Sequence, residues 1–157
     1  MVKVDIHYFT LNSKIKEINI SLVDDNDSTA DYFSQSTDSV GKLAKMIFCY
    51  LQGQPQNFKS KEILSMLDLP LSANAKKVLL TLNKIAPVKG TITYGELAKR
   101  SGLGKNYARA VGRIMSINPF PIVIPCHQVV GAGKKIGGFQ GKSRSIDLKL
   151  KLLELFN

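Results

Sequence analysis

Residues 93–117, TYGELAKRSGLGKNYARAVGRIMSI, carry the clearest local signals in this sequence. Thr93 and Glu96 have the spacing of a capping box, in which the hydroxyl accepts from the amide three residues later and the carboxylate reaches back. This pattern predicts the start of a short helix that runs through Ser101. Gly102 closes that helix, because glycine readily takes the left-handed conformation that follows a helix end.

A second helix is predicted directly after the first, over residues 107–117, with Asn106 as its capping residue. Two helices joined by a short glycine-containing turn are typical of a helix-turn-helix. The apolar residues of the second helix have the spacing of one core-facing stripe; they are Val111, Ile114 and Met115.

The other face of the second helix combines two arginines with small residues. Arg109 and Arg113 lie four residues apart and therefore share a face. Ala108, Ala110 and Gly112 are small, so this helix can approach a partner's backbone closely. A helix lying in a DNA groove has these properties, and so does a helix packed tightly against a neighbour with arginines at the surface.

Upstream of residue 93 the sequence divides near residues 68–72, DLPLS. An amphipathic helix follows, ended by Pro87 and Gly90; its apolar residues are Ala75, Val78, Leu79, Leu82 and Ile85. We place a domain boundary at Ser72, which gives an N-terminal domain of residues 1–72 and a C-terminal domain of residues 73–157.

The N-terminal part predicts two strands and one helix. Residues 2–9 and 15–23 have the apolar alternation of strands and are followed by an acidic turn at 24–28. Residues 40–52 predict a helix whose apolar stripe contains Leu43, Ile47 and Tyr50. These elements indicate an α/β domain with a small antiparallel sheet and a flanking helix.

The net charge of +10 is concentrated in the second half of the chain. Residues 1–72 contain 7 Lys and Arg against 9 Asp and Glu, whereas residues 73–157 contain 15 against 3. A strongly basic half indicates a polyanionic partner such as nucleic acid. A solvated basic surface without a partner is the alternative.

Length and composition predict an intracellular protein with free thiols. The 157 residues suit one domain or two small ones, and no apolar run is long enough for a membrane span. The charged and interrupted start does not resemble a signal peptide. Cys49 and Cys126 could form one disulfide, but so low a count favours a reducing compartment such as the cytoplasm.

Residues 117–130, INPFPIVIPCHQVV, carry the chemistry. Their prolines predict a rigid turn, and residues 122–124 predict a buried strand that places Cys126 in the interior. A buried thiol is usually inert, and we assign Cys49 to that group. Cys126 differs because His127 follows it and could accept the thiol proton. The residues alone therefore indicate a cysteine that can be activated within a DNA-binding domain.

The motif Pro125-Cys126-His127-Gln128-Val129 resembles the active-site signature of the O6-alkylguanine-DNA alkyltransferase family, with Gln128 where that family usually has arginine. Further segments resemble the family in its order and spacing over residues 73–156. These segments are residues 93–98, TYGELA; 108–112, ARAVG; Asn118-Pro119; and 136–139, IGGF.

The resemblance implies a role for each residue of the reactive site. Cys126 would be the alkyl acceptor, and His127 would act on its thiol through a water. Tyr94 would donate a proton or hydrogen bond to the departing guanine. Asn118 would brace the turn before the cysteine, and the backbone at Cys126 and Val129 would read the guanine edge.

The resemblance also implies a DNA-reading winged helix-turn-helix within a mainly helical C-terminal domain. Arg109 would enter the duplex from the minor groove and replace the extruded base in the stack. Arg113 and the small residues Ala108, Ala110 and Gly112 would form the rest of the DNA-binding face.

Three departures from the family pattern affect the site. The glutamate that commonly orients the histidine falls at Phe156, and Glu154 is the nearest carboxylate. The loop after Phe139 is longer than usual, so the substrate-contacting serine is assigned to Ser143, with Ser145 as the alternative. The zinc ligands of some relatives are absent, so neither a metal nor another cofactor is expected.

We therefore predict a monomeric DNA repair protein that flips O6-alkylguanine out of double-stranded DNA. It would move the alkyl group irreversibly to Cys126, once per molecule. Two alternatives remain at this point: a DNA-binding lesion sensor or regulator that does not react, and a cysteine hydrolase, which would need a further orienting residue and an oxyanion hole.

Overall fold

A computed structural model describes residues 2–9, 14–22, 38–87, 90–137, 139 and 146–155. Within these residues the chain forms a two-stranded antiparallel sheet, a two-stranded parallel sheet and six α-helices. The strands are β1 (Val2–Phe9), β2 (Lys14–Leu22), β3 (Ile92–Thr93) and β4 (Val129–Val130). The helices are α1 (Ser39–Leu51), α2 (Lys61–Met66), α3 (Ala73–Ile85), α4 (Tyr94–Arg100), α5 (Ala108–Ser116) and α6 (Ile146–Glu154).

The antiparallel sheet of β1 and β2 confirms the two predicted strands. Their register pairs Val2 with Leu22 and Ile6 with Ile18, and it shifts between His7 and Tyr8. Apolar side chains alternate with exposed polar ones, as a sheet with one covered face requires. The acidic turn expected at 24–28 lies outside the described residues.

Helix α1 confirms the helix predicted for residues 40–52, and Asp38 caps it by accepting from Gly41 N at 2.7 Å. Leu43, Ile47 and Tyr50 are buried, as the stripe predicts. Helix α2, capped by Ser60, was not predicted. Its six residues are too few to show a helical period.

Helix α3 begins directly after Ser72, whose hydroxyl accepts from Ala75 N at 3.3 Å. The apolar positions predicted for this helix are buried, apart from Ile85, which is half-buried. Asn83 is also buried, and its amide donates to Phe58 O at 3.2 Å and to Val123 O at 2.8 Å. Helix α3 thus bonds to a segment before it and to the turn that precedes Cys126.

Helix α4 begins at Tyr94 with Thr93 as its cap, as predicted. Thr93 Oγ1 accepts from Glu96 N at 3.1 Å, and the Glu96 carboxylate binds Arg100 Nε at 2.7 Å. Gly102 follows the helix end with a φ of +74°, a backbone conformation that a side chain would strain. A Cβ at this position would also lie 3.2 Å from Lys77 Nζ.

The prediction that Asn106 caps the second helix is wrong. A 3-10 helix, Lys105–Tyr107, precedes α5 and contains Asn106. Helix α5 begins at Ala108, and Tyr107 occupies its cap position without a side-chain hydrogen bond. The difference arises because the bond from Tyr107 N to Gly104 O tightens the chain by one turn before α5 starts.

Residues 122–124 are buried as predicted, but they form a turn and not a strand. Ile122 has a φ of +71°, which is rare for a β-branched residue and strains the backbone. Ile124 N bonds back to Phe120 O at 2.8 Å, which closes the turn. The prolines before and after this run remove the amide donors that a strand would need.

One hydrophobic core connects the two halves of the described chain. Ile15, Ile18 and Ile47 pack in the same cluster as residues of α3 and α4 and as Cys126. Ile18 N also donates to Pro119 O at 2.7 Å. Among the described residues, no helix is long and apolar enough to cross a membrane.

Candidate functional site

Cys126 lies at the start of a 3-10 helix, Cys126–Gln128, that follows the strained turn. Its side chain is only 3% exposed, which confirms the predicted burial, and the thiol is free. Cys49 is also free and is half-buried, so the two cysteines do not form a disulfide. Burial raises the pKa of the Cys126 thiol to about 11.

Three groups counteract this effect of burial. A hydrogen bond from the Asn118 side chain, the positive charge of Lys149 and backbone amides all lower the pKa of Cys126. They stabilise the Cys126 thiolate more than purely apolar surroundings would. The site therefore holds a thiol that is neutral at rest and has groups in place for its anion.

Asn118 is the buried centre of the turn before the cysteine. Its amide nitrogen donates to Ile124 O at 2.9 Å, and its Oδ1 accepts from Phe120 N at 3.1 Å. One side chain thus bonds both arms of the turn and contacts Cys126. This geometry fits the bracing role that the family resemblance implies for Asn118.

His127 is fully buried and contacts the N-terminal half of the chain. Its Nε2 lies 2.8 Å from the Tyr50 hydroxyl of α1, and the two rings meet edge to face. Its Nδ1 has no hydrogen-bond partner among the described residues. Burial, and to a smaller degree the charge of Lys149, lowers the pKa of His127 to about 3, so the ring is neutral at physiological pH.

Lys149 of α6 is the one charged side chain buried in the described core, with 1% exposure. Its ammonium donates to Val129 O at 2.6 Å and lies 5.8 Å from the centroid of the Tyr94 ring. Burial lowers the pKa of Lys149, and Cys126 raises it. Because Val129 O already accepts from Lys149, only its second lone pair is available for another donor.

Tyr94, the first residue of α4, is half-buried. Burial and the nearby Cys126 raise its pKa, so the phenol keeps its proton at neutral pH. A Cβ on Gly137 would lie 3.2 Å from the Tyr94 hydroxyl, so a side chain there would crowd it. A Cβ on Gly112 would lie 4.0 Å from the Tyr94 ring, so Gly112 faces Tyr94 and not open solvent.

Helix α5 presents both predicted arginines to solvent. Arg109, Ala110 and Arg113 are exposed, whereas Ala108 is half-buried. Val111 and Met115 are buried on the opposite side, as the apolar stripe predicts, and Ile114 is half-buried.

The structure does not bring Glu154 to the histidine. Glu154 is exposed on α6 and pairs with no atom of His127. Phe156 and the serines Ser143 and Ser145 lie outside the described residues.

Sequence reasoning missed the roles of Tyr50 and Lys149. Tyr50 was assigned only to the apolar stripe of α1, and its polar end gave no further signal. Lys149 had one usable signal: it lies beside Leu148 and three residues before Leu152, within the buried stripe of α6. A lysine at a core position of a helix is rare unless its ammonium is bonded.

The fold and the site define a protein in which an arginine-bearing surface helix and a buried, free thiol belong to the same hydrophobic core. The family model for the DNA-binding domain of 6-O-methylguanine DNA methyltransferase matches residues 73–155. Methylated-DNA–protein-cysteine methyltransferase of Methanothermobacter thermautotrophicus is 34% identical over 117 residues, which are 74% of this chain and 61% of that protein. Its counterpart in Methanosarcina acetivorans is 30% identical over 125 residues, 80% of this chain and 74% of that protein.

A solved structure, Mycobacterium tuberculosis OGT in complex with DNA, aligns with a TM-score of 0.69 and 27% identity. The alignment covers 96% of this chain and 84% of that one. The chain belongs to the 6-O-methylguanine DNA methyltransferase family.

Proposed function

We propose that this protein repairs DNA by transferring the alkyl group of O6-alkylguanine to Sγ of Cys126. The thiolate attacks the alkyl carbon, the bond from that carbon to O6 breaks, and its electron pair stays on the guanine. The product is a thioether, and among the described residues no group is placed to regenerate the thiol, so we expect each molecule to act once. The observation that carries this proposal is the buried Cys126 thiol, held among Asn118, His127 and Lys149.

The groups around the thiol support a division of roles. His127 is neutral at physiological pH and can accept the thiol proton, while Asn118 and Lys149 stabilise the anion that remains. Tyr94 is protonated and can donate to the guanine as negative charge develops on it. Val129 would contribute backbone contacts to the base, and Ser143 is retained as the candidate contact to the substrate oxygen.

The proposed partner is double-stranded DNA containing O6-alkylguanine. Helices α4 and α5 would act as a winged helix-turn-helix, with Arg109 entering the duplex and Arg113 contacting a phosphate. Ala108 and Ala110 would allow α5 to approach the groove closely, and Gly112 would leave room for Tyr94. The exposure of both arginines and the charge of +12 on residues 73–157 support this arrangement.

We also propose a boundary at Ser72, a monomeric protein and an intracellular site of action. The cap at Ser72 and the change of charge there support the boundary. Two free cysteines suit a reducing compartment.

Intact-mass measurement after mixing with duplex DNA containing O6-methylguanine tests the function. We expect the protein to gain one methyl group on the peptide that contains Cys126. Cys126→Ser should bind the DNA without gaining mass, because a hydroxyl is a far weaker nucleophile. Cys49→Ser is the matched control and should react like the unchanged protein.

Binding without mass gain in the unchanged protein would instead identify a lesion sensor. Release of the alkyl group to water with recovery of the thiol would identify a hydrolase. Either result would overturn the proposed transfer.

A further inference from the structure

Within the part of the chain that the structure describes, the imidazole of His127 has a hydrogen-bond partner at one nitrogen and none at the other. Nε2 lies 2.8 Å from the Tyr50 hydroxyl, and both side chains are buried. Nδ1 is buried without a hydrogen-bond partner in the described part of the chain. Because Tyr50 occupies Nε2, any proton taken from the thiol must arrive at Nδ1.

In the hydrogen bond between the Tyr50 hydroxyl and His127 Nε2, either group could be the donor. The surroundings of the imidazole favour Nε2–H as the donor. If Tyr50 donated to Nε2, the neutral ring would carry its proton on Nδ1, where no described residue accepts it. A buried N–H without an acceptor is costly and rare in native structures. In the other tautomer, Nε2–H donates to the phenol oxygen, and Nδ1 keeps the lone pair that a base needs.

Among the described side chains around the ring, Tyr50 is the acceptor available to Nε2–H. Within the described residues, the ionisable side chains that bond to His127 or act on it by charge are Tyr50 of α1 and Lys149 of α6, and Cys126 is its neighbour in the chain. Within the described residues, no carboxylate bonds to the ring. Lys149 cannot accept from Nε2–H, because its ammonium carries donors only.

We propose that Tyr50 is the positioning residue of His127, accepting a hydrogen bond from Nε2–H so that the Nδ1 lone pair faces the thiol proton. This inference rests on the proposed alkyl transfer to Cys126 and assigns a part in it to the N-terminal half of the chain. Because Nδ1 has no direct hydrogen bond to Cys126, the proton moves from Sγ to Nδ1 through one bridging water, leaving a thiolate and an imidazolium. A neutral phenol orients this imidazolium but does not neutralise its charge.

Replacement of one hydroxyl tests the role. Tyr50→Phe keeps the ring and its edge-to-face contact with Phe58, and it removes the hydroxyl that bonds to His127. We expect the reaction with free O6-benzylguanine to slow by about tenfold, the effect of losing one orienting hydrogen bond. Tyr107→Phe, which removes the hydroxyl of an exposed tyrosine, is the matched control and should react at the unchanged rate.

The pH profile distinguishes a positioning role from a merely structural one. With His127 accepting the proton internally, the rate should be level from about pH 6 to about pH 8, because the neutral ring does not titrate there. In Tyr50→Phe, deprotonation by solvent should contribute more, so the rate should rise with pH. A parallel profile and an unchanged rate in this variant would overturn the proposal.

The unchanged protein provides a second measurement that does not depend on any variant. It contains two histidines, and His7 is exposed, so its ¹⁵N imidazole signals serve as an internal reference for those of His127. We expect His127 to be neutral with its proton on Nε2, and we expect Tyr50→Phe to mix the two tautomers. A proton on Nδ1 in the unchanged protein would overturn the proposal.

The two levels of inference fail separately. If the unchanged protein forms no Cys126 adduct, the proposed function fails. If it forms the adduct and Tyr50→Phe matches it in rate, pH profile and tautomer, only the role of Tyr50 fails.

Discussion

Lys149 shows how a single buried charge can serve a reactive thiol. An ammonium at 1% exposure is unfavourable by itself, and its bond to Val129 O compensates for part of the lost hydration. The positive charge of Lys149 lowers the pKa of Cys126 and also lowers the pKa of His127, which disfavours the imidazolium. The ammonium therefore makes the thiolate of Cys126 less unfavourable while keeping the neighbouring base neutral.

Removal of this charge should slow alkyl transfer. We expect Lys149→Met to reduce the rate with free O6-benzylguanine by about tenfold or more, since one pKa unit on the thiol corresponds to a tenfold change in thiolate. Lys151→Met lies on the exposed side of the same helix and should leave the rate unchanged. Equal rates for the two variants would show that Lys149 acts only on Val129.

At the scale of elements, α5 carries its exposed arginines and its contact with Tyr94 at different positions. Its exposed side carries Arg109 and Arg113, while Gly112 faces Tyr94. Substitutions on the exposed side should therefore change DNA binding without changing the reaction at Cys126.

The two arginines should differ in their effect on repair. We expect Arg109→Ala to slow repair of duplex DNA much more than the reaction with free O6-benzylguanine, because only the duplex requires base extrusion. Arg113→Ala should weaken DNA binding and reduce the salt dependence by about one phosphate contact. Equal losses of Arg109→Ala on both substrates would contradict the intercalating role.

The elements that the sequence predicted well are those determined by nearby residues. The strands β1 and β2 and the helices α1, α3 and α4 follow from alternation, apolar stripes and caps within a few positions. The cap at Asn106 was wrong because a 3-10 turn at Gly104 displaces the start of α5. Residues 122–124 were not a strand because Asn118 bonds the chain into a turn.

The candidate site was predictable only in part, for the same reason. Cys126, His127 and Asn118 lie in one segment, so a motif could identify them together. Tyr50 and Lys149 reach the site from α1 and α6 through tertiary packing. No local pattern specifies such contacts, although the lysine in the apolar stripe of α6 indicated a bonded ammonium.

At the scale of the whole molecule, the neutral buried His127 makes stability depend on pH. Its pKa is about 3 in the folded protein and near its ordinary value of about 6.5 when unfolded. The unfolded chain therefore binds a proton below about pH 6.5 that the folded chain does not bind. This contribution to stability is complete above that pH and is lost as the pH falls toward 3.

Denaturant unfolding over this range should reveal the effect. We expect the unfolding free energy to fall by up to about 1.4 kcal/mol per pH unit through His127. His127→Gln should reduce this slope, whereas His7→Gln, which changes an exposed histidine, should leave it nearly intact. Identical slopes in all three proteins would show that His127 titrates normally when folded.

The contacts from the first half of the chain to the reactive segment also determine when the thiol site can form. Ile18 bonds Pro119, Tyr50 bonds His127, and Asn83 joins Phe58 to Val123. A ribosome makes the earlier partner of every pair long before residues 118–128. During synthesis, those early residues cannot make these contacts until the later segment has been translated. Contacts between residues far apart in the sequence also form slowly. The growing chain therefore has no complete thiol site until most of its length has been made. We expect a chain that ends before this segment to be unreactive toward alkylated DNA.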